Sequence, residues 1–187
     1  MGESSFLRPA LALRAAKLRD GMQVADFGSA GGFFTREAAR IVGPSGTVWA
    51  VDHNKEVLAR TKGLALAEGL HNVELSAGNI EEGGGSLLPE EAIDFVLAVN
   101  ILFSATDKEK LLEEIWRVLK PQGRGTRFGA GRALVIDWKD SFGGLGPHPT
   151  HVISEQSART LFESGGFTFV EEIPCGSYHW GFTVRKK

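Results

Sequence analysis

A single cysteine, Cys175, stands in a chain of 187 residues. That scarcity excludes an internal disulfide framework and predicts a reducing, cytoplasmic setting. Cys175 itself reads as a small packing residue near the chain end rather than a reactive thiol. An excess of one charge is missing too: 21 Lys and Arg stand against 23 Asp and Glu, a formal charge of -2. No global basic field therefore draws the chain to nucleic acid or acidic membranes. No apolar run is long enough to span a bilayer, and the opening Met-Gly-Glu-Ser-Ser-Phe has no apolar signal core. Phe6 also occupies the position where a myristoylation signal needs Ser or Thr. What is present is a 42% hydrophobic content, enough to form the core of one domain over 1–187, with 1–20 as an N-terminal helical segment.

The most informative stretch is Val-Ala-Asp-Phe-Gly-Ser-Ala-Gly-Gly-Phe-Phe-Thr from Val24 to Thr35. Apolar residues lead into Asp26, small residues follow at Gly28, Ser29, Ala30, Gly31 and Gly32, and a helical pattern opens. This is a strand, a tight turn and a helix N-terminus, where backbone can approach a ligand closely and free N–H groups face a negative group. A dinucleotide fingerprint, Gly-x-Gly-x-x-Gly counted from Gly28, fails twice, at Ala30 and Phe33. Asp26 would also repel a pyrophosphate. An amino-acid end, with an ammonium beside a carboxylate, suits both Asp26 and the helix terminus, and S-adenosylmethionine carries one. A turn that only packs is the alternative.

Strands and helices then alternate. Helical spacing covers residues 10–18, the helix after the glycine turn, 55–69, 107–119 and 155–164. Strands read at 23–27, 47–51, 73–77, 92–99, 133–137, 168–173 and 179–185. The repeated βα units predict an α/β fold, a doubly wound, mostly parallel seven-stranded sheet in a three-layer αβα sandwich. Only a hairpin-length link joins the last two strands, so the last strand is expected to be antiparallel.

Such a topology places a ligand at the carboxyl ends of the first four strands. Asp52 ends the second strand, where a carboxylate can accept both hydroxyls of a ribose. Asn79 and Ile80 follow the third, suited to an adenine edge and an adenine face. Asn100 ends the fourth, beside Ile101, Leu102 and Phe103.

With these residues in view, the chain resembles the class I, Rossmann-like, S-adenosylmethionine-dependent methyltransferases over about residues 20 to 185. The resemblance rests on the turn at Val24 to Thr35, Val48 to Asp52, Gly78-Asn79-Ile80, Asp94 to Asn100, and Leu119-Lys120-Pro121-Gln122-Gly123. Its nearest likeness is the small-molecule branch that includes ubiquinone/menaquinone-biosynthesis and arsenite methyltransferases. It implies in-line transfer of a methyl group from a sulfonium, with Asp26, Gly28, Ser29, Ala30, Gly32 and Phe33 at the cofactor's methionine end. Asp52, His53, Asn79, Ile80 and Asn100 complete the implied cofactor set. Two departures stand out: Ala30 replaces a family glycine, and Asn79 replaces the adenine-reading aspartate, although its carbonyl can still accept a hydrogen bond.

The acceptor is less legible. The Asn/Asp-Pro-Pro-Tyr motif of amino-group methyltransferases is absent after Val99, and no aspartate ends the fourth strand as in the Lys-Asp-Lys-Glu tetrad of ribose methyltransferases. His151, His148 and His179 are candidate general bases, and His148 with His151 lacks the further ligands a zinc site needs, so no metal is expected. The segment 122–132 carries Arg124, Arg127 and Arg132 among glycines, a cationic loop open to an anionic acceptor or RNA, or simply solvated. Gly83-Gly84-Gly85 reads as a surface loop. Three readings compete: a methyltransferase acting on a small molecule, one acting on protein or RNA, and a domain that binds S-adenosylmethionine without turnover. A nicotinamide oxidoreductase stands behind them because of the broken fingerprint.

Overall fold

A computed structural model describes residues 6–122 and 127–187. Seven strands form one sheet: β1 (Gln23–Phe27), β2 (Thr47–Asp52), β3 (Val73–Ala77), β4 (Phe95–Val99), β5 (Arg132–Trp138), β6 (Phe167–Glu172) and β7 (His179–Lys186). Their spatial order is β3-β2-β1-β4-β5-β7-β6. Every neighbouring pair from β3 to β5 is parallel, and β7 runs antiparallel between β5 and β6. The fold is therefore the doubly wound sheet expected from the alternation of periods, including the reversed last strand.

Alternate strand residues face opposite layers. Val24, Val48, Ala50 and Leu97 pack under α1 (Pro9–Ala15), α2 (Phe33–Val42) and α3 (Lys55–Ala67). Ala25, Phe27, Val96 and Val135 pack under α4 (Lys108–Val118) and α5 (Glu155–Ser164). Central strands buried on both faces explain the near-continuous apolar runs at β4 and β5. Side chains start three of the helices: Asn54 accepts N–H groups of Glu56 and Val57, Asp107 accepts that of Lys110, and Ser154 accepts that of Ser157.

Two boundaries differ by three residues from the sequence expectation, each for a local reason, and the others by two at most. Strand β4 begins at Phe95 rather than 92. Ile93 instead bridges to Leu119, and the carboxylate of Asp94 accepts the Gln23 N–H at 2.9 Å and an ammonium hydrogen of Lys120 at 2.7 Å. The run is apolar before it is a ladder. Helix α1 stops at Ala15 because Lys17 takes a left-handed φ of 64°, yet Leu18 stays buried.

Candidate active site

The turn from β1 to α2 is held by its own backbone. Gly28 and Ser29 donate to the Val51 carbonyl at 2.9 and 3.1 Å, Gly32 donates to Ser29, and Ala30 donates to Asp52 Oδ2 at 3.1 Å. Gly28 has φ 70°, and a Cβ there would lie 2.8 Å from Ile101 Cδ1, so this position lets the loop after β4 close against the turn. Ala30 occupies the same left-handed region at φ 42°.

Asp26 is only 3% exposed. Burial pushes its carboxyl up to about 7, against hydrogen bonding from Thr35, whose hydroxyl donates at 2.5 Å. Asp26 thus anchors the first turn of α2, a favourable place for a carboxylate near a helix N-terminus. Asp52 adds a smaller like-charge effect.

The carboxyl ends of β1, β2, β3 and β4 surround a cleft of about 330 Å³, within the range of small-ligand sites. Gly28, Ala30, Asp52, His53, Asn79, Ile80 and Asn100 all line it. Asp26, Ser29, Gly32 and Phe33 do not; the first three are buried behind the turn, and Phe33 is 70% exposed with Arg36 over its ring. Asp52 Oδ1 accepts the Asn54 N–H at 2.9 Å, so each of its oxygens holds one backbone donor and keeps acceptor capacity. Asn79 is tied into its own turn, its carbonyl accepting from Glu81 and its amide donating to Glu82.

A second cleft, of about 790 Å³, shares the wall residue Ser104 with the first. Its walls are the loop after β4, with Phe103 and Ala105, and the segment before α5, with His151, Val152 and Ile153. Its position depends on Asp137, at the carboxyl end of β5 and fully buried. Oδ2 of Asp137 accepts the Phe103 N–H at 3.1 Å and Oδ1 accepts its neighbour Trp138 N–H at 2.8 Å. Burial raises this carboxyl to about 6 despite those donors. Sequence reasoning passed over Asp137, although an aspartate closing the fifth strand is the same signal that Asp52 gives on the second.

His179 lines neither cleft. It is buried against the Trp138 ring, centroids 4.3 Å apart, and burial with nearby Lys139 pulls its pKa down to about 4. His148 caps the 3-10 turn Pro149–His151. The cationic segment lies elsewhere: Arg127 sits beside Gly21, before β1, and Arg132 opens β5, so both are at the amino edge of the sheet, opposite the clefts. Arg124 falls outside the described residues. Gly85 is more than surface loop, since a Cβ there would lie 1.8 Å from the Asn79 carbonyl. The glycine run is also tethered from below by Glu114, 1% exposed, which accepts the N–H groups of Gly84 and Ser86 and pairs with Arg117. Glu114 lies inside the apolar stripe of α4, which masks it in the sequence.

Asn100 at the first cleft, with Ser29 and Asp26 in the turn and strand beside it, suits an S-adenosylmethionine-like group on grounds internal to the structure. Among the described residues, the Ser29 hydroxyl and the Asn100 amide oxygen are buried without a hydrogen-bond partner, and buried polar groups are rarely left so unless something else meets them. Asp26 is a buried carboxylate with no cation among its named partners, so an ammonium suits its environment.

A family model described as "Methyltransferase domain" matches residues 18–166, and the chain belongs to that family. Its fold places it among the class I, Rossmann-like, S-adenosylmethionine-dependent members. An arsenite methyltransferase from Halobacterium salinarum is 31% identical over 109 residues, 58% of this chain and 27% of the relative. The ubiquinone/menaquinone biosynthesis C-methyltransferase UbiE from Pasteurella multocida is 32% identical over 111 residues, 57% of this chain and 39% of the relative. The match thus spans well under half of either relative's length. A crystal structure of a SAM-dependent methyltransferase from Aquifex aeolicus superposes with a TM-score of 0.83 and 27% identity, covering 96% of this chain and 90% of that one. Among the described residues, no helix is long and apolar enough to cross a membrane.

Proposed function

We propose that this chain transfers a methyl group from S-adenosylmethionine, held in the first cleft, to a small-molecule acceptor in the second. The observation that carries the reading is that the two clefts adjoin, sharing Ser104 as a wall residue. When bound, S-adenosylmethionine would supply an electrophilic methyl carried on a sulfonium, with the neutral thioether as its leaving group. The protein's task is then to align the partners and exclude water, and alignment can supply about 7–11 kcal/mol in favourable cases.

In this reading Asp52 accepts the ribose hydroxyls, and His53, Asn79 and Ile80 surround the adenine. Asn100 lies near the reacting methyl. Asp26 meets the ammonium, and Ser29, Ala30 and Gly32 shape the turn around the carboxylate. Phe33, turned outward, contributes through the turn's geometry. A small acceptor is supported by the relatives named for arsenite and quinone substrates, and the -2 charge argues against nucleic acid. Arsenite itself is not carried over. Trivalent arsenic is thiophilic, and Cys175 is buried, its thiol pushed by burial up to about 12. We further infer that residues 1–187 act as one catalytic domain and that its setting is cytoplasmic, the latter supported by the unpaired Cys175.

The test is labelled methyl transfer into a cell extract separated into small molecules, protein and RNA. Label in the small-molecule fraction is expected. Label in protein or RNA overturns the acceptor class, and no label in any fraction points to a binding domain without turnover.

A further inference from the structure

The second cleft has an electrical character that the protein as a whole does not. None of its lining residues is a carboxylate, whereas Lys108, the first residue of α4, faces it together with His151. The Lys108 ammonium donates to the Ala105 carbonyl at 2.8 Å, which leaves two of its three hydrogens available. Among the described residues no carboxylate lies within ion-pair distance of it.

Three acids on or beside the elements that form the cleft are engaged elsewhere. Asp107 pairs with Lys110, Glu155 pairs with Arg159, and Glu81 accepts the Asp107 N–H. Asp137 attracts Lys108 through space, but its oxygens are held by the backbone N–H groups of Phe103 and Trp138. Ser154 and Ser157, whose hydroxyls are 2.8 Å apart at the start of α5, also line the cleft. Phe103, Val152 and Ile153 supply its apolar lining.

An ammonium without a contact ion pair, in a cleft that also presents serine hydroxyls and apolar side chains, fits a molecule with a flat or aliphatic body and an oxyanion at one end. We propose that the acceptor is such a molecule, a carboxylate or phosphate ester of an apolar body, and that Lys108 reads its anionic group and so determines specificity. The inference rests on the methyltransferase reading, since it takes the second cleft as the acceptor site.

Benzoate and benzamide, nearly equal in shape and different in charge, test the point directly, with phenyl phosphate as a third probe. Affinities are measured by titration on the full chain, first with S-adenosylhomocysteine alone and then with each probe in its presence. Backbone chemical shifts of Ser104 and Ser154 locate the binding. Benzoate is expected to bind at these residues at least tenfold more tightly than benzamide. Lys108→Met should reduce that preference to less than twofold while leaving S-adenosylhomocysteine affinity unchanged, and Lys108→Arg should restore it. Phenyl phosphate binding above or below benzoate assigns the oxyanion as phosphate or carboxylate.

Equal binding of benzoate and benzamide, no binding of either, or a preference that survives Lys108→Met overturns the inference. If S-adenosylhomocysteine still binds in those cases, the proposed function stands without it. Failure of S-adenosylhomocysteine to bind overturns both.

Discussion

The two clefts are built in different ways. The first is made at strand ends, by residues whose backbones are locked into a parallel ladder: Asp52 closes β2, Asn100 follows β4, and the turn after β1 donates to Val51 and Asp52. The second is made largely of loops, the segments 103–106 and 150–154, tied to the sheet by side chains: the Asp137 carboxylate accepts the Phe103 N–H, and the Trp180 indole of β7 donates to the Ile153 carbonyl. A rigid half suits a ligand that is the same in every turnover. A half made of loops can change its lining without disturbing the sheet, which is how one fold serves many acceptors.

The sharpest way to break this comparison is at Asp52. Its carboxylate organises the turn through the Ala30 N–H and still has acceptor capacity facing the cleft. Removing charge-assisted hydrogen bonds worth about 1.5–3 kcal/mol each predicts that Asp52→Ala weakens S-adenosylhomocysteine binding about 100-fold. His151→Ala, on the other wall of the second cleft, should change it less than twofold. Calorimetric titration of both variants decides the matter, and equal losses would show that the two clefts are not separate in function.

Asp26 comes next in size. A carboxyl raised to about 7 by burial is mostly protonated at pH 6 and mostly ionised at pH 8, and an ammonium binds the ionised form. Affinity for S-adenosylhomocysteine should therefore rise about tenfold between those values. The stability of the ligand-free protein should move the other way. Its folded pKa lies above the ordinary 3.8, so the contribution of Asp26 is complete below pH 4 and is lost as pH rises through about 7. Asp26→Asn should flatten both dependences. A pH-independent affinity in the unaltered protein would mean that Asp26 only anchors α2 through Thr35.

How much of this was legible follows the same division. Asp26, Asp52 and the glycine turn are local signals: an apolar strand, a polar strand end and small residues occur together in sequence, so the site can be read without knowing the sheet order. Lys108 and Ser154 become neighbours of one cleft only because β4 and β5 are adjacent, a pairing no local window contains. Glu114 was hidden for a related reason. On a helix its position belongs to the buried stripe, and only the tertiary partners Gly84, Ser86 and Arg117 explain a carboxylate there. The placement of Arg127 shows the opposite error, a charged loop that looks functional by composition and lies at the far edge of the sheet.

Asp137 tests whether the acceptor half depends on one residue. In Asp137→Asn one of the two backbone donors, Phe103 or Trp138, meets an amide N–H₂ in place of an oxygen, a buried mismatch costing about 1–3 kcal/mol. The expectation is a roughly fivefold weaker affinity for a ligand in the second cleft, read with benzoate, and a lower melting temperature. S-adenosylhomocysteine affinity should change less than twofold. An equal loss at both clefts would place the loop after β4 in the rigid half instead.

The smallest effect is expected at Ala30, where the chain departs from the family's glycine. Ala30 holds φ 42°, a conformation that costs a residue with a Cβ about 1–2 kcal/mol relative to glycine. Part of that cost is retained in favour of Ala30 because glycine has more freedom to lose on folding, about 0.5–1 kcal/mol. Ala30→Gly should thus stabilise the protein by about 0.5–1 kcal/mol, visible as a rise in denaturant midpoint with an unchanged slope. Ala30 is exposed, lines the first cleft and donates its N–H to Asp52. The glycine therefore keeps the hydrogen bond and removes only a methyl from the cleft wall. Unchanged or tighter S-adenosylhomocysteine binding in this variant would show that the departure at position 30 is a strain the turn tolerates. A tenfold loss would show that the Ala30 methyl is itself a contact of the first cleft.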